Sequence, residues 1–207
     1  MPRKIQFVSG MHGNEYMPVL ALSSAEIKHV VANPAALAAG KRWIDSDLNS
    51  AFGSNKKTYE SRRAKEVLEK IPEDSLVIDF HTSDSANVPF AIVTDLHMVP
   101  FALTTGLKHV VYMKYSIKKG GALIDFRDGV SVEAGKHKED KSFHTTLEVV
   151  KNVQKKKPFE ANVYEVYGKI TKPGKYTNFT LHKDGFYPVL SGETSYDFLG
   201  LKARKIN

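Results

Sequence analysis

Residues 4–16, Lys4-Ile-Gln-Phe-Val-Ser-Gly-Met-His-Gly-Asn-Glu-Tyr16, carry two patterns back to back. The first half, up to Ser9, is short and β-prone, and Gly10 closes it, as expected of a strand. The second half leads into an apolar-rich stretch that opens at Met17. Pro18 is compatible only with the first turn of a helix, so a helix should begin around Glu15 or Tyr16. A strand running straight into a helix is the opening unit of a layered α/β domain. The same alternation continues outward. Asn33-Pro34 marks a turn with a second strand near it. Tyr59 to Lys70 reads as an amphipathic helix, with Ala64, Val67, Leu68 and Ile71 on one face and Pro72 after its end. Leu76 to Phe80 is a continuous apolar run broken only by Asp79, which suits a buried strand. Ala91–Thr94, His109–Met113 and Val130–Glu133 are further strands, and Phe143–Val153 is helical in pattern. These elements predict an α/β fold with a mostly parallel mixed sheet flanked by helices over residues 1–156. After Lys155-Lys-Lys-Pro158 the pattern turns β-prone, at Ala161–Tyr167 and Phe186–Leu190, with Gly and Pro between. Residues 157–207 are therefore expected to form a small β-rich C-terminal domain.

The composition narrows the chemistry. The chain has 207 residues and no cysteine, which excludes disulfides, a thiolate nucleophile, iron–sulfur clusters and Cys-ligated zinc. Any metal must be held by His, Asp, Glu or carbonyl oxygen. No apolar run reaches the ~18 residues of a membrane span, and the first residues hold too short an apolar run for a signal peptide. The expectation is a cytoplasmic protein with no membrane partner. The net charge of +7 is uneven: residues 1–104 hold 11 basic and 12 acidic side chains, residues 105–207 hold 19 and 11. The excess lysines, Lys118 and Lys119, Lys136 and Lys138, Lys155 to Lys157, are scattered and lack interleaved aromatics. They read as a solvated face rather than a nucleic-acid platform, so charge points at most to a small anionic substrate, and a homo-oligomer is possible.

Chemistry concentrates in Ser9–Glu15. His12 and Glu15 stand three apart where the strand runs into the helix, a spacing that lets two side chains converge. An imidazole and a carboxylate suit Zn²⁺. The third ligand should come from another strand end, because open α/β sheets bind at the carboxyl ends of their strands. His81 directly follows the buried strand Leu76–Phe80. His12, Glu15 and His81 together are the two-His, one-Glu set of a catalytic zinc, one per chain, with a fourth position for water. Asp79 would orient a histidine. Glu133 ends another apolar strand and is placed to serve as general base and acid. Arg42 and Arg127 are candidates to hold developing negative charge. The other histidines, at 29, 97, 109, 137, 144 and 182, are expected at the surface or in packing.

These residues resemble those of the aspartoacylase / succinylglutamate desuccinylase family, a branch of the zinc carboxypeptidase-like hydrolases. The resemblance rests on Gly10-x-His-Gly-Asn-Glu15, Asn33-Pro34, Lys41-Arg-Trp-Ile-Asp-Ser-Asp-Leu-Asn49, Asp79-x-His81 and Val132-Glu-x-Gly135, in that order. Tyr59-Glu-x-Arg-Arg-Ala-x-Glu66 and Tyr187-Pro-Val-x-x-x-Glu193-x-x-Tyr196 extend it to about residues 5–200. It implies a phosphorylase/hydrolase-like domain and a small C-terminal domain that helps cover the active site. It implies hydrolysis of the amide bond of a small N-acylated amino acid through a metal-bound water, with Glu133 as base. It further implies that Arg42 polarises the carbonyl, that Asn49 contacts the substrate carboxylate, and that Tyr196 reaches the substrate, with Glu193 in support. The chain departs from the family at two positions. Ser50 and Leu123 stand where the family places arginines that hold a substrate carboxylate, and Arg127 is the nearby candidate to substitute. A carboxypeptidase-like hydrolase of a peptide conjugate and a catalytically degenerate family member are the alternative readings.

Overall fold

In a computed structural model, residues 3–114, 117 and 120–207 are described, and Lys118 and Lys119 lie outside the described residues. The strands are β1 (Ile5–Ser9), β2 (His29–Val31), β3 (Leu76–His81), β4 (Phe90–Val93), β5 (His109–Tyr112), β6 (Gly129–Glu133), β7 (Asn162–Lys169), β8 (Tyr187–Val189) and β9 (Leu201–Lys205). The helices are α1 (Tyr16–Ser24), α2 (Pro34–Ala38), α3 (Tyr59–Lys70), α4 (Val99–Leu103) and α5 (Asp140–Lys155). Among the described residues the strands form one sheet in the order β2-β1-β3-β6-β4-β5-β7-β9-β8. The β1–β2, β1–β3, β3–β6, β4–β5 and β5–β7 pairs are parallel, and β4–β6, β7–β9 and β8–β9 are antiparallel. The mostly parallel mixed sheet expected from the sequence is the one observed.

Two-residue periodicity splits the central strands between two cores. On one face Phe7, Ile78, Phe80, Val130 and Val132 pack with Leu22 of α1 and Val149, Val150 and Val153 of α5. On the other, Val8 and Val77 pack with Ala64 and Val67 of α3 and with Leu48 and Leu123. Each helix has a local cause. Thr58 caps α3 by accepting the Ser61 N–H at 3.1 Å, and the α3 bounds match the amphipathic pattern. Asn33 caps α2 by accepting the Ala36 N–H, with Pro34 in the first turn. The second strand, β2, ends just before this turn.

Residues 157–207 carry β7, β8 and β9. These strands are hydrogen-bonded onto the edge of the same sheet, through β7 on β5, and share a third core with Ile92, Val111 and Met113. Among the described residues no helix is long and apolar enough to cross a membrane. The arrangement that positions the site is the run β1-β3-β6, three adjacent parallel strands whose carboxyl ends lie side by side. Next to them β4 runs the other way.

Candidate metal and catalytic site

The carboxyl end of β1 turns tightly before α1. Gly13 donates its N–H to the Arg42 carbonyl at 3.1 Å, and Glu15 donates its own to the His12 carbonyl at 3.1 Å. A Cβ at Gly13 would collide with the carbonyls of Ala36 and Lys41, so only glycine permits this approach. The turn folds the two side chains together, with His12 Nδ1 2.7 Å from Glu15 Oε1. His81, the last residue of β3, brings its Nδ1 to 3.1 Å from Glu15 Oε2. The three residues are buried, and one ligand atom from each lies within 4.8 Å of the others.

The far side of each imidazole meets a carboxylate. His12 Nε2 is 2.9 Å from Asp47 Oδ1, and His81 Nε2 is 2.7 Å from Asp79 Oδ2. A proton held on Nε2 by each aspartate leaves Nδ1 as the ligating nitrogen, and both Nδ1 atoms face Glu15. The electrostatics match a cation position. Burial alone would raise Glu15, yet the His12 and His81 charges and hydrogen bonds hold it far below the usual carboxylate range. Burial alone would lower His81, yet Asp79 and Glu15 hold it well above the imidazole range.

Glu133 ends β6 and pairs in register with His81. The residue keeps some exposed surface, but its Oε2 is shut off from solvent and has no hydrogen-bond partner. Burial above all, with the charges of Glu15 and Glu193, raises its carboxyl to about 7 against the pull of His81 and Arg42. Glu193 is also buried. It accepts the Ser195 N–H on Oε1 at 2.9 Å and leaves Oε2 without a partner. Glu133, Glu193, Arg42, Asn49 and Tyr196 line one cavity of about 30 Å³ with the His12–Glu15–His81 group. The Arg42 Nη1 lies 3.7 Å from Glu15 Oε1, and its buried Nε has no partner.

One loop supplies Arg42, Asp47 and Asn49, and a buried carboxylate outside the cavity holds it. Glu60, in the first turn of α3, accepts the N–H of Ile44 at 2.7 Å and those of Asp45 and Ser46 at 3.0 Å each. Neither Asp47 nor Glu60 stands out in the sequence. Their signal lies in motifs that the resemblance quoted whole, without assigning these two positions.

Arg127 is not brought to this cavity. Its guanidinium donates to the carbonyls of Leu68 and Ile71 at the end of α3, where a cation complements the helix C-terminus, and to the carbonyl of its neighbour Phe126. Leu123 is fully buried, and its N–H donates to Asn49 Oδ1 at 3.2 Å, while Ser50 is exposed. His137, expected in packing or at the surface, borders the site. Its Nδ1 is 2.7 Å from Thr82 Oγ1, beside His81, and its Nε2 is 3.3 Å from Asn14 Nδ2.

The family model described as the succinylglutamate desuccinylase/aspartoacylase catalytic domain matches residues 3–139. A probable aspartoacylase of Prochlorococcus marinus subsp. pastoris is 35% identical over 148 residues, covering 59% of this chain and 50% of that protein. The match thus spans about half the length of that curated relative. Among solved structures, the succinylglutamate desuccinylase of Chromobacterium violaceum superposes with a TM-score of 0.77 at 17% identity, over 99% of this chain and 85% of that one. Murine aminoacylase 3 superposes with a TM-score of 0.75 at 19% identity, over 99% and 95%. At these identities the structural likeness speaks for the fold.

Proposed function

The chain belongs to the succinylglutamate desuccinylase/aspartoacylase family, and from that premise we propose that it is a zinc-dependent amidohydrolase acting on a small N-acylated amino acid. One observation carries the reading: the unpartnered Glu133 carboxylate and the His12–Glu15–His81 group share a cavity of about 30 Å³. The donor set fits zinc. It offers two imidazole nitrogens and a carboxylate, each imidazole backed by an aspartate. Bound there, zinc would act as a Lewis acid toward the acyl carbonyl and would acidify water.

The side chains of the chain do the rest. Glu133 accepts a proton from water as the oxygen attacks the acyl carbon, its partner-free carboxylate lying in the same cavity as His12, Glu15 and His81. Arg42 supports the negative charge that develops on the carbonyl oxygen. Glu133 then returns the proton to the amide nitrogen as the C–N bond breaks, which yields a carboxylic acid and a free amine. Asn49 and Tyr196 hold the substrate at the cavity wall. The test is Glu133→Gln with its zinc content measured. The expected result is retained zinc and a loss of turnover of about 10²–10⁴-fold, the contribution of one general acid–base group. Undiminished turnover on any cleaved N-acyl amino acid would remove Glu133 from this role.

A further inference from the structure

A second cavity, of about 50 Å³, opens on the other side of Glu133. It shares Asn49, His81, Glu133, Leu190 and Tyr196 with the metal-side cavity, so the two are compartments of one site. The origin of its remaining wall is the reversal of β4. In the antiparallel β4–β6 pair Ile92 stands opposite Ser131, on the face that also carries Glu133. Ile92, Met113, Ala122 and Ile124 are buried and line it together with Ile117 and the hydroxyl residues Thr94 and Ser131. Among the described residues that line this compartment, the charged ones are His81 and Glu133. Among the described residues Arg42 is the one guanidinium lining the metal side, and Arg127 is committed to backbone carbonyls elsewhere.

A second, independent feature marks the same wall. Leu190 takes a φ of +53°, a left-handed backbone that a leucine adopts at a cost. Its side chain lines both compartments, on the Glu133 side and on the metal side. Strain of this kind persists where the surroundings enforce it, and it clusters at functional sites.

We infer that the substrate carries a short, uncharged apolar arm next to its scissile amide, and that this arm occupies the compartment beyond Glu133. The inference rests on the amidohydrolase reading for the position of the amide, and it names the substrate class. The volume admits about four water-sized groups, which suits a propyl or a small branched chain and is too small for an indole. An arm ending in a second carboxylate would enter beside the Glu133 carboxylate and against the apolar side chains of Ile92, Met113, Ala122 and Ile124, where a buried charge is strongly disfavoured. The apolar arm could be the acyl chain or the side chain of the amino acid.

Two substrate series separate these sources on zinc-loaded protein. The first varies the acyl group on glycine, from acetyl through propionyl and butyryl to succinyl. The second keeps acetyl and varies the amino acid among glycine, valine, methionine and aspartate. In the series whose arm enters the compartment, kcat/KM should rise about tenfold or more for a fitting methylene. The succinyl or aspartyl member should fall at least tenfold below its apolar counterpart. Ala122→Leu, which fills the compartment, should bring the apolar-to-glycine ratio back toward one. Ketone analogues of the same compounds, with CH2 in place of the amide NH, titrated calorimetrically into the zinc-loaded wild type report binding without turnover. Apolar preference in binding with no hydrolysis of any compound by the wild type would uphold the compartment and refute the hydrolase reading. Equal or tighter binding of the acidic members, or their preferred turnover, would overturn the apolar assignment and leave the hydrolase reading standing.

Discussion

At the scale of single residues, Glu133, the proposed base, also bears on stability. Its carboxyl is raised from 4.5 to about 7 in the folded, metal-free chain, so folding favours the protonated acid. The stability gained from that proton is fully present below about pH 4.5, the unfolded value, and is lost as the pH rises through about 7. At 1.36 kcal/mol per pH unit, the ionised side chain costs the fold up to about 3 kcal/mol at pH 8. Metal-free Glu133→Gln carries no such group. Its stability relative to wild type should therefore improve by about 2–3 kcal/mol between pH 4.5 and pH 8 in urea unfolding. Parallel pH profiles for the two proteins would mean that the carboxyl is solvated. What the sequence revealed at this scale follows from locality. His12, Glu15, His81 and Glu133 can be read because each sits at or just after the end of a strand that its own neighbours define. Asp47 could not be read as the partner of His12, because 35 residues separate them and only the fold closes that distance. Arg127 illustrates the converse: chemistry and proximity in sequence suggested a substrate contact, and the carbonyls at the end of α3 claimed the side chain.

At the scale of elements, the loop between α2 and the turn at Leu48–Ser50 is a scaffold for three functional side chains, and Glu60 holds it from behind. Asp47 acts in two ways within it, accepting the Asn49 N–H at 2.8 Å and facing His12 Nε2. Removing an outer-shell partner of a metal-binding histidine typically lowers metal affinity 10–100-fold. Asp47→Ala should therefore weaken zinc binding by about that factor in competition with a chelator, while Asp95→Ala, at an exposed turn far from the loop, should not. Equal zinc affinity in wild type and Asp47→Ala would contradict the orienting role. The elements differ in how well the sequence announces them. The α3 helix is plain from its amphipathic spacing and its Thr58 cap. The β9 strand is hidden, because Leu201-Lys-Ala-Arg-Lys205 carries three basic residues and only two buried apolar ones. The reversal of β4 is invisible too: a strand's direction depends on its partner, and Phe90–Val93 would read the same either way.

At the scale of the whole molecule, the metal group joins segments that are distant in the chain. His12 and Glu15 follow β1, His81 ends β3, and His81 lies 66 residues from Glu15. A metal held by all three binds the folded chain and has no comparable site in the unfolded one, so its binding free energy adds to the stability of the fold. The added stability is about 2.7 kcal/mol at a free zinc concentration 100 times Kd. For a chain of this size each kcal/mol moves the melting temperature by about 2–4 °C, so saturating zinc should raise it by roughly 5–11 °C. His81→Ala should melt at the same temperature with and without zinc, because the loss of one imidazole leaves two ligands from a single turn. Glu133→Gln, which lies in the cavity but outside the ligand set, should keep the full zinc-dependent rise. A wild-type melting temperature indifferent to zinc would reject the metal site, and an equal rise in His81→Ala would place the bound zinc elsewhere. A rise in wild type and Glu133→Gln, abolished in His81→Ala, separates metal binding from proton transfer with one instrument and no knowledge of the substrate.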